Sequence, residues 1–117
     1  MKQQNRNKGR VAEELAAKAL MEKGYQILER NYQNRFGEID VIAQDGKVLV
    51  FIEVKAKTGL TFGHPEEMIS KGKLAKVRMM GNLYMRDKLL PCRIDVVAIV
   101  MNQKNELRRL THYENVY

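Results

Sequence analysis

The chain has 117 residues, and its 21 lysines and arginines outnumber its 14 aspartates and glutamates to give a net charge of +7 at pH 7. This length predicts a single domain spanning residues 1–117, and the positive charge favours a polyanionic partner. The lone cysteine, Cys92, excludes an internal disulfide and a cysteine-rich metal site. With neither a long apolar run nor a secretory signal, the sequence predicts a cytoplasmic protein without a membrane partner.

The first predicted element is a helix over residues 10–23, where apolar residues recur at helical spacing. At about 100° per residue, Glu13 falls on the flank of the apolar stripe, whereas Glu14 points almost away from it. Glu13 can therefore reach inward. The alternative is that both are ordinary surface acids that pair with Lys18 or its neighbours.

Basic residues are grouped before this helix and on a second helix predicted after Ser70. The first group forms an amino-terminal arm of Lys2, Arg6, Lys8 and Arg10, and the second comprises Lys71, Lys73, Lys76, Arg78, Arg86 and Lys88. Two such clusters suit phosphate-contacting surfaces on either side of a central site, although any single lysine is more often part of a solvated face. The nucleic-acid-binding candidates are Lys8, Arg10, Lys71, Lys73 and Lys76.

Three strands are predicted between the helices. Residues 25–32 predict an edge or outer strand, and the next two strands form a hairpin around Asp45-Gly46. In a symmetric hairpin, residue 44 faces residue 47, which sets Asp40 opposite Phe51 and Glu38 opposite Glu53. Four ionisable side chains then project from one face of the hairpin: Glu38, Asp40, Glu53 and Lys55.

The second strand of this hairpin is apolar on both faces until Glu53, so charges at its end are costly to bury unless a metal ion or substrate uses them. The alternative is an amphipathic strand whose end emerges into solvent. Asp40 and Glu53, with the backbone carbonyl of Val54, offer the oxygen ligands that Mg²⁺ or Mn²⁺ accepts. Lys55 can orient or deprotonate an attacking water. These groups predict metal-assisted phosphodiester hydrolysis.

Asp40 followed by Glu53-Val54-Lys55 resembles the acid and acid-X-Lys motif of the restriction-endonuclease-like (PD-(D/E)XK) nucleases, and the layout is most similar to archaeal Holliday junction resolvases. Nearly the whole chain resembles the YraN-like bacterial family. The phrases that carry this resemblance are residues 12–16, 24–32, 37–40, 51–55, 62–67 and 92–98. The resemblance implies a mixed α/β fold in which helices flank a sheet, in the order α-β-β-β-α-β with a further strand.

The resemblance also implies roles for individual residues. It assigns the metal to Asp40 and Glu53 and the catalytic lysine to Lys55, and the glutamate that resolvases carry on the first helix falls on Glu13. Glu38 is typical of the YraN-like family and is a further candidate site acid, and Lys73 matches a basic position of that family. One departure is Ala12, which stands where the family usually has glycine.

The sequence therefore predicts a metal-dependent DNA endonuclease, and similarity to resolvases favours branched or structured DNA. Dimerisation is expected to enlarge its small binding surface. The small size and Ala12 favour an alternative, a nucleic-acid-binding module that keeps the nuclease fold with little or no cleavage. A third interpretation is an interaction scaffold that does not bind nucleic acid.

Two further residues are interpreted as structural or incidental. Residues 93–101 predict a second buried strand, which Asp95 interrupts. We expect Asp95 to be a core acid that supports a backbone or basic group rather than a metal ligand. His64, before Pro65 in a turn, is interpreted as incidental rather than as a catalytic base.

Overall fold

The computed structural model describes residues 2–59, 67, 69–86, 88 and 90–117, without the side chains of residues 2–7. The elements are α1 (Lys2–Glu22), β1 (Gln26–Asn34), β2 (Gly37–Asp45), β3 (Val48–Thr58), α2 (Lys71–Met85), β4 (Cys92–Met101) and β5 (Leu107–Tyr113). This order confirms the predicted mixed α/β fold. Within the described part of the chain, neither helix combines the length and apolar character needed to cross a bilayer.

The five strands form one open sheet in the order β1-β2-β3-β4-β5. Only β3 and β4 are parallel, and α2 lies in the connection between them, as a parallel pair requires. β1 is an edge strand, as predicted for residues 25–32. β4 is buried from Ile94 to Met101, as predicted for the second core strand.

Each face of the sheet is covered by one helix, which explains why β3 is apolar at successive positions. On one face, α1 contributes Ala12, Ala16 and Leu20 to a core that also contains Val50 and Ile52. On the other face, α2 packs over the neighbouring side chains of β3. The members of this second core include Ile39, Phe51, Leu74, Val77 and Met80.

Both helices differ from their predicted limits. α1 begins at Lys2, so the predicted amino-terminal arm is helical. Its first turns lack the apolar repeat that marked the predicted start, but lysine, glutamine and arginine favour helix without it. α2 begins after the N-cap Ser70, as predicted, and ends at Met85, so Arg86 and Lys88 lie beyond it. Arg86 takes a positive φ of 56° and ends the helix by donating its N–H to the carbonyl of Leu83.

The predicted register of the β2–β3 hairpin was wrong. Gln44 pairs with Leu49 rather than with residue 47, and Ile42 rather than Asp40 faces Phe51. The reason is the turn, in which Gly46, with φ +61°, is the first central residue instead of the second. Because the displacement is an even number of residues, the side chains of the paired segment, residues 41–45 and 48–52, keep their faces while their neighbours change.

Candidate metal and nucleic-acid site

Asp40 lies where β2 parts from β3. The last backbone pair of this ladder joins Val41 to Ile52, and beyond it the Val54 N–H donates to Asp40 Oδ2 at 2.8 Å. Ile39 and Ile42 both pack in the core beneath α2, so the alternation of β2 breaks between them. The Asp40 carboxylate thus accepts a backbone N–H of β3 beyond the last paired residues, and this hydrogen bond fixes the carboxylate at the end of the ladder.

Three carboxylates meet at this point, and we call them the acidic group: Glu13 of α1 with Glu38 and Asp40 of β2. One oxygen from each lies within 4.8 Å of the others. Of the two interpretations open for Glu13, the structure shows that it reaches the sheet. Glu14 instead points outward and pairs with Arg30 at 2.6 Å.

Glu53 lies beside the acidic group but is not one of its three members. It is only 7% exposed, although it carries a carboxylate. Its Oε1 is 3.4 Å from Lys73 Nζ, whereas its Oε2 is buried without a hydrogen-bond partner in the described part of the chain. Such an oxygen costs free energy unless a further donor or cation reaches it.

Two carboxyl groups at the site, those of Asp40 and Glu53, have raised pKa values. Burial, the charge of Glu53 and the charges of Glu13 and Glu38 raise the pKa of Asp40 to about 7, against the lowering effect of the Val54 N–H. Burial also raises the pKa of Glu53, which Lys73 and Lys55 partly offset. The cluster is therefore under electrostatic strain that a cation relieves.

Lys55 and Val54 of the predicted catalytic motif also lie here. Val54 uses its N–H to hold Asp40, whereas the predicted ligand was its carbonyl. Lys55 lines a pocket of about 310 Å³ together with Lys8 and Glu13. Ala12 is 1% exposed and belongs to the core beneath α1, so its methyl group fills the contact between helix and sheet.

The structure does not bring all the predicted basic residues to this site. Lys73 pairs with Glu53. The side chain of Lys76 runs past Gly37, the residue that precedes Glu38 in the sequence. Lys8 lies in the pocket with Lys55. Arg10 instead lines a groove on another side of α1 with Glu14, and Lys71 is exposed at the start of α2. His64 falls outside the described residues.

A second cluster of charges surrounds Asp95, which is fully buried. It accepts hydrogen bonds from Arg93 Nε at 3.0 Å and from the Asn115 N–H at 3.0 Å, and it contacts His112 Nε2 at 2.7 Å. Burial alone raises the pKa of Asp95, but the hydrogen bonds from His112, Asn115 and Arg93 lower it below the ordinary value. This confirms the prediction of a satisfied core acid. His112 was missed, because nothing near it in the sequence marks it as a hydrogen-bond partner of a buried acid.

The fold and the acidic group together define a mixed α/β domain with a candidate cation site at the open end of a strand ladder. Residues 12–99 match the profile described as "Uncharacterised protein family UPF0102". The chain belongs to this family, which confirms the predicted YraN-like membership.

Three relatives illustrate the extent of the match. The UPF0102 protein of Pelotomaculum thermopropionicum is 40% identical over 112 residues, which cover 93% of each chain. That of Carboxydothermus hydrogenoformans is 42% identical over 114 residues, or 95% of each chain. That of Dictyoglomus turgidum is 34% identical over 116 residues, which cover 97% of this chain and 98% of the relative. The likeness therefore spans both helices and the whole sheet.

Proposed function

We propose that this protein is a metal-dependent phosphodiester hydrolase that acts on DNA. The observation that carries the proposal is the acidic group of Glu13, Glu38 and Asp40, with carboxylate oxygens within 4.8 Å of one another. Beside it lies the buried, unpartnered Oε2 of Glu53. Converging carboxylates are what a divalent cation site needs, and the raised pKa of Asp40 shows that their charges are unfavourable without a cation.

The donors fit Mg²⁺ or Mn²⁺, because both accept carboxylate oxygens and keep positions open for water and phosphate. Asp40, Glu13 and Glu38 would hold the ion, and Glu53 would complete the site or orient its waters. When bound, the ion supplies neutralisation of the phosphate charge and a more acidic water. The Val54 N–H holds the Asp40 carboxylate in place for this role.

Lys55 is the residue we assign to the reacting water. It lies two residues beyond Glu53 on β3 and close enough to that carboxylate to lower its pKa. An ammonium at this position orients a water by hydrogen bonding and stabilises negative charge that develops on the phosphate. Lys73, which already pairs with Glu53, provides a second positive charge at the same edge of the site.

Two further features support a DNA substrate. The net charge of +7 includes the acids of the site, so the surrounding surface is more positive than the total indicates. The resemblance of Asp40 and Glu53-Val54-Lys55 to the restriction-endonuclease-like motif favours phosphodiester hydrolysis, and similarity to Holliday junction resolvases favours branched DNA.

The test is a cleavage assay on linear, nicked and four-way-junction DNA with Mg²⁺ and with Mn²⁺. We expect cleavage by the wild type and a loss of roughly 100-fold or more in Asp40→Asn and Lys55→Ala. Glu14→Gln is the control, because it removes one carboxylate from α1, next to Glu13 in the sequence, without changing the acidic group. Absence of cleavage by the wild type with both ions would contradict hydrolysis.

One observation favours a second candidate, a nucleic-acid-binding module with little or no catalysis. Lys73 Nζ lies 3.4 Å from Glu53 Oε1, so a lysine already compensates one acid of the motif without a metal ion. DNA binding that persists in wild type and in Asp40→Asn, with cleavage in neither, would establish the module. Negligible affinity even at low salt would instead favour an interaction scaffold.

A further inference from the structure

Two lysines line one pocket next to Glu13 of the acidic group, Lys8 from α1 and Lys55 from β3. Burial lowers the pKa of Lys8, and the charges of Lys57 and Lys55 on β3 lower it further. Like charges on two different elements repel one another, so an anion between them would stabilise this part of the fold.

Lys8 and Lys55 also line the pocket of about 310 Å³. The rest of its wall is made of small residues and one acid: Gly9, Ala12, Val54, Ala56 and Glu13. A Cβ added at Gly9 would meet no atom within 4 Å, so this side of the pocket is open. Since a water in the liquid takes about 30 Å³, the pocket has room for a phosphate group and several waters.

The pocket lies next to the acidic group rather than over it. Glu13 belongs to both, whereas Glu38 and Asp40 do not line the pocket. An anion held by Lys8 and Lys55 therefore sits to one side of the carboxylates, at the position of a neighbour of the phosphate being cut. Glu13 opposes such an anion until its own charge is neutralised, so phosphate and divalent cation are expected to strengthen each other's binding.

We propose that the Lys8–Lys55 pocket is a subsite for a backbone phosphate of the nucleic-acid strand, adjacent to the phosphate at the acidic group. This inference rests on the proposed function, but it concerns binding and is testable without cleavage. Lys8 is the residue that distinguishes it, because Lys55 also has a role at the reacting water.

The experiment compares Lys8→Gln with Lys18→Gln, which makes the same charge change at an exposed position of α1 outside the pocket. The affinity for a short fluorescein-labelled single strand is measured across a salt series, once in EDTA and once in Ca²⁺. For Lys8→Gln we expect roughly three- to fivefold weaker binding at 50 mM salt and a salt slope smaller by about 0.7, the value for one lost phosphate contact. Lys18→Gln should keep the wild-type slope, and Lys8→Arg should restore most of the affinity.

The outcomes separate this inference from the proposed function. If the wild type cleaves DNA but Lys8→Gln and Lys18→Gln have the same slope, the subsite is wrong and hydrolysis stands. If only Lys8→Gln loses slope while the wild type cleaves nothing, the subsite stands and hydrolysis is wrong. Absence of binding by the wild type even at low salt overturns both.

Discussion

Asp40 is the residue on which the site depends, since it combines a fixed position with an unfavourable charge. The Val54 N–H holds its Oδ2 at 2.8 Å, while burial and the carboxylate of Glu53 raise its pKa to about 7. The backbone hydrogen bond favours the charged form, and burial and repulsion favour the neutral form. Burial and repulsion prevail, so between about pH 3.8 and pH 7 the folded protein holds a proton on Asp40 that the unfolded chain has released.

This proton predicts a pH dependence of stability for the metal-free protein. Between the ordinary pKa of 3.8 and about 7, the native state binds more protons at Asp40 than the unfolded state, so this residue's contribution to the free energy of unfolding falls as pH rises. The full difference is at most about 4 kcal/mol, at 1.36 kcal/mol per pKa unit. Urea titrations of wild type and Asp40→Asn at several pH values measure it.

We expect Asp40→Asn to gain stability relative to wild type as pH rises through this window, until the gain levels off above pH 7. The comparison between the two proteins cancels titrating groups that do not interact with Asp40, such as Asp95, whose lowered pKa has the opposite effect at low pH. A difference that stays constant with pH would show that the Asp40 carboxyl has the same pKa in the folded and unfolded states.

At the scale of elements, the site is set by how closely the two helices approach the sheet. A Cβ added to Gly81 of α2 would lie 2.7 Å from the Phe51 ring, so glycine allows α2 to pack directly on β3. This close approach places the amino-terminal half of α2, with Lys73, next to Glu53. On the opposite face, Ala12 and Ala16 do the same for α1 and bring Glu13 to the sheet.

Gly81→Ala should therefore destabilise the protein, although alanine favours helix over glycine by about 1 kcal/mol. Overpacking a core typically costs about 1–3 kcal/mol, and a contact of 2.7 Å with a ring places this change in the upper part of that range, so after the helix gain we expect a net loss of roughly 1–2 kcal/mol in the free energy of unfolding. Gly9→Ala in α1 is the control, because its Cβ would meet nothing within 4 Å. Chemical denaturation should show Gly9→Ala equal to or more stable than wild type, and a stable Gly81→Ala would refute the close approach.

Much of the fold could be predicted because it rests on local patterns. Apolar runs marked the strands, and Ser70 marked the start of α2 by capping the Lys73 N–H. The hairpin register could not be predicted, because it depends on which central position of the turn Gly46 occupies. The helical start at Lys2 was hidden by the absence of an apolar repeat in the first turns.

The site shows the same division. Asp40, Glu53 and Lys55 could be singled out because they interrupt buried strands. Helical periodicity gave the direction of Glu13 but not its distance from β2, so two interpretations stayed open until the packing of α1 was known. The Lys73–Glu53 pair joins residues that come together only when α2 docks, and no local pattern predicted it.

At the scale of the whole molecule, the two charged clusters differ in how far hydrogen bonds and opposite charges satisfy their acids. Asp95 is fully buried, yet Arg93, His112 and the Asn115 N–H satisfy it and join β4 to β5 and to the chain beyond it. The acidic group joins α1 to β2, and its members repel one another. This contrast between a satisfied buried acid and a strained acidic group supports the proposed cation site at the acidic group.

Direct binding of Mn²⁺, followed by electron paramagnetic resonance and by the melting temperature at pH 8, tests this claim most simply. Binding of the ion to the native state alone raises stability by about 2.7 kcal/mol at 100 times Kd. We expect the wild type and Glu14→Gln to bind Mn²⁺ and to melt at a higher temperature with it, and Asp40→Asn to bind at least roughly tenfold more weakly. Equal Mn²⁺ affinity in wild type and Asp40→Asn, or none in the wild type, would contradict a cation site at the acidic group.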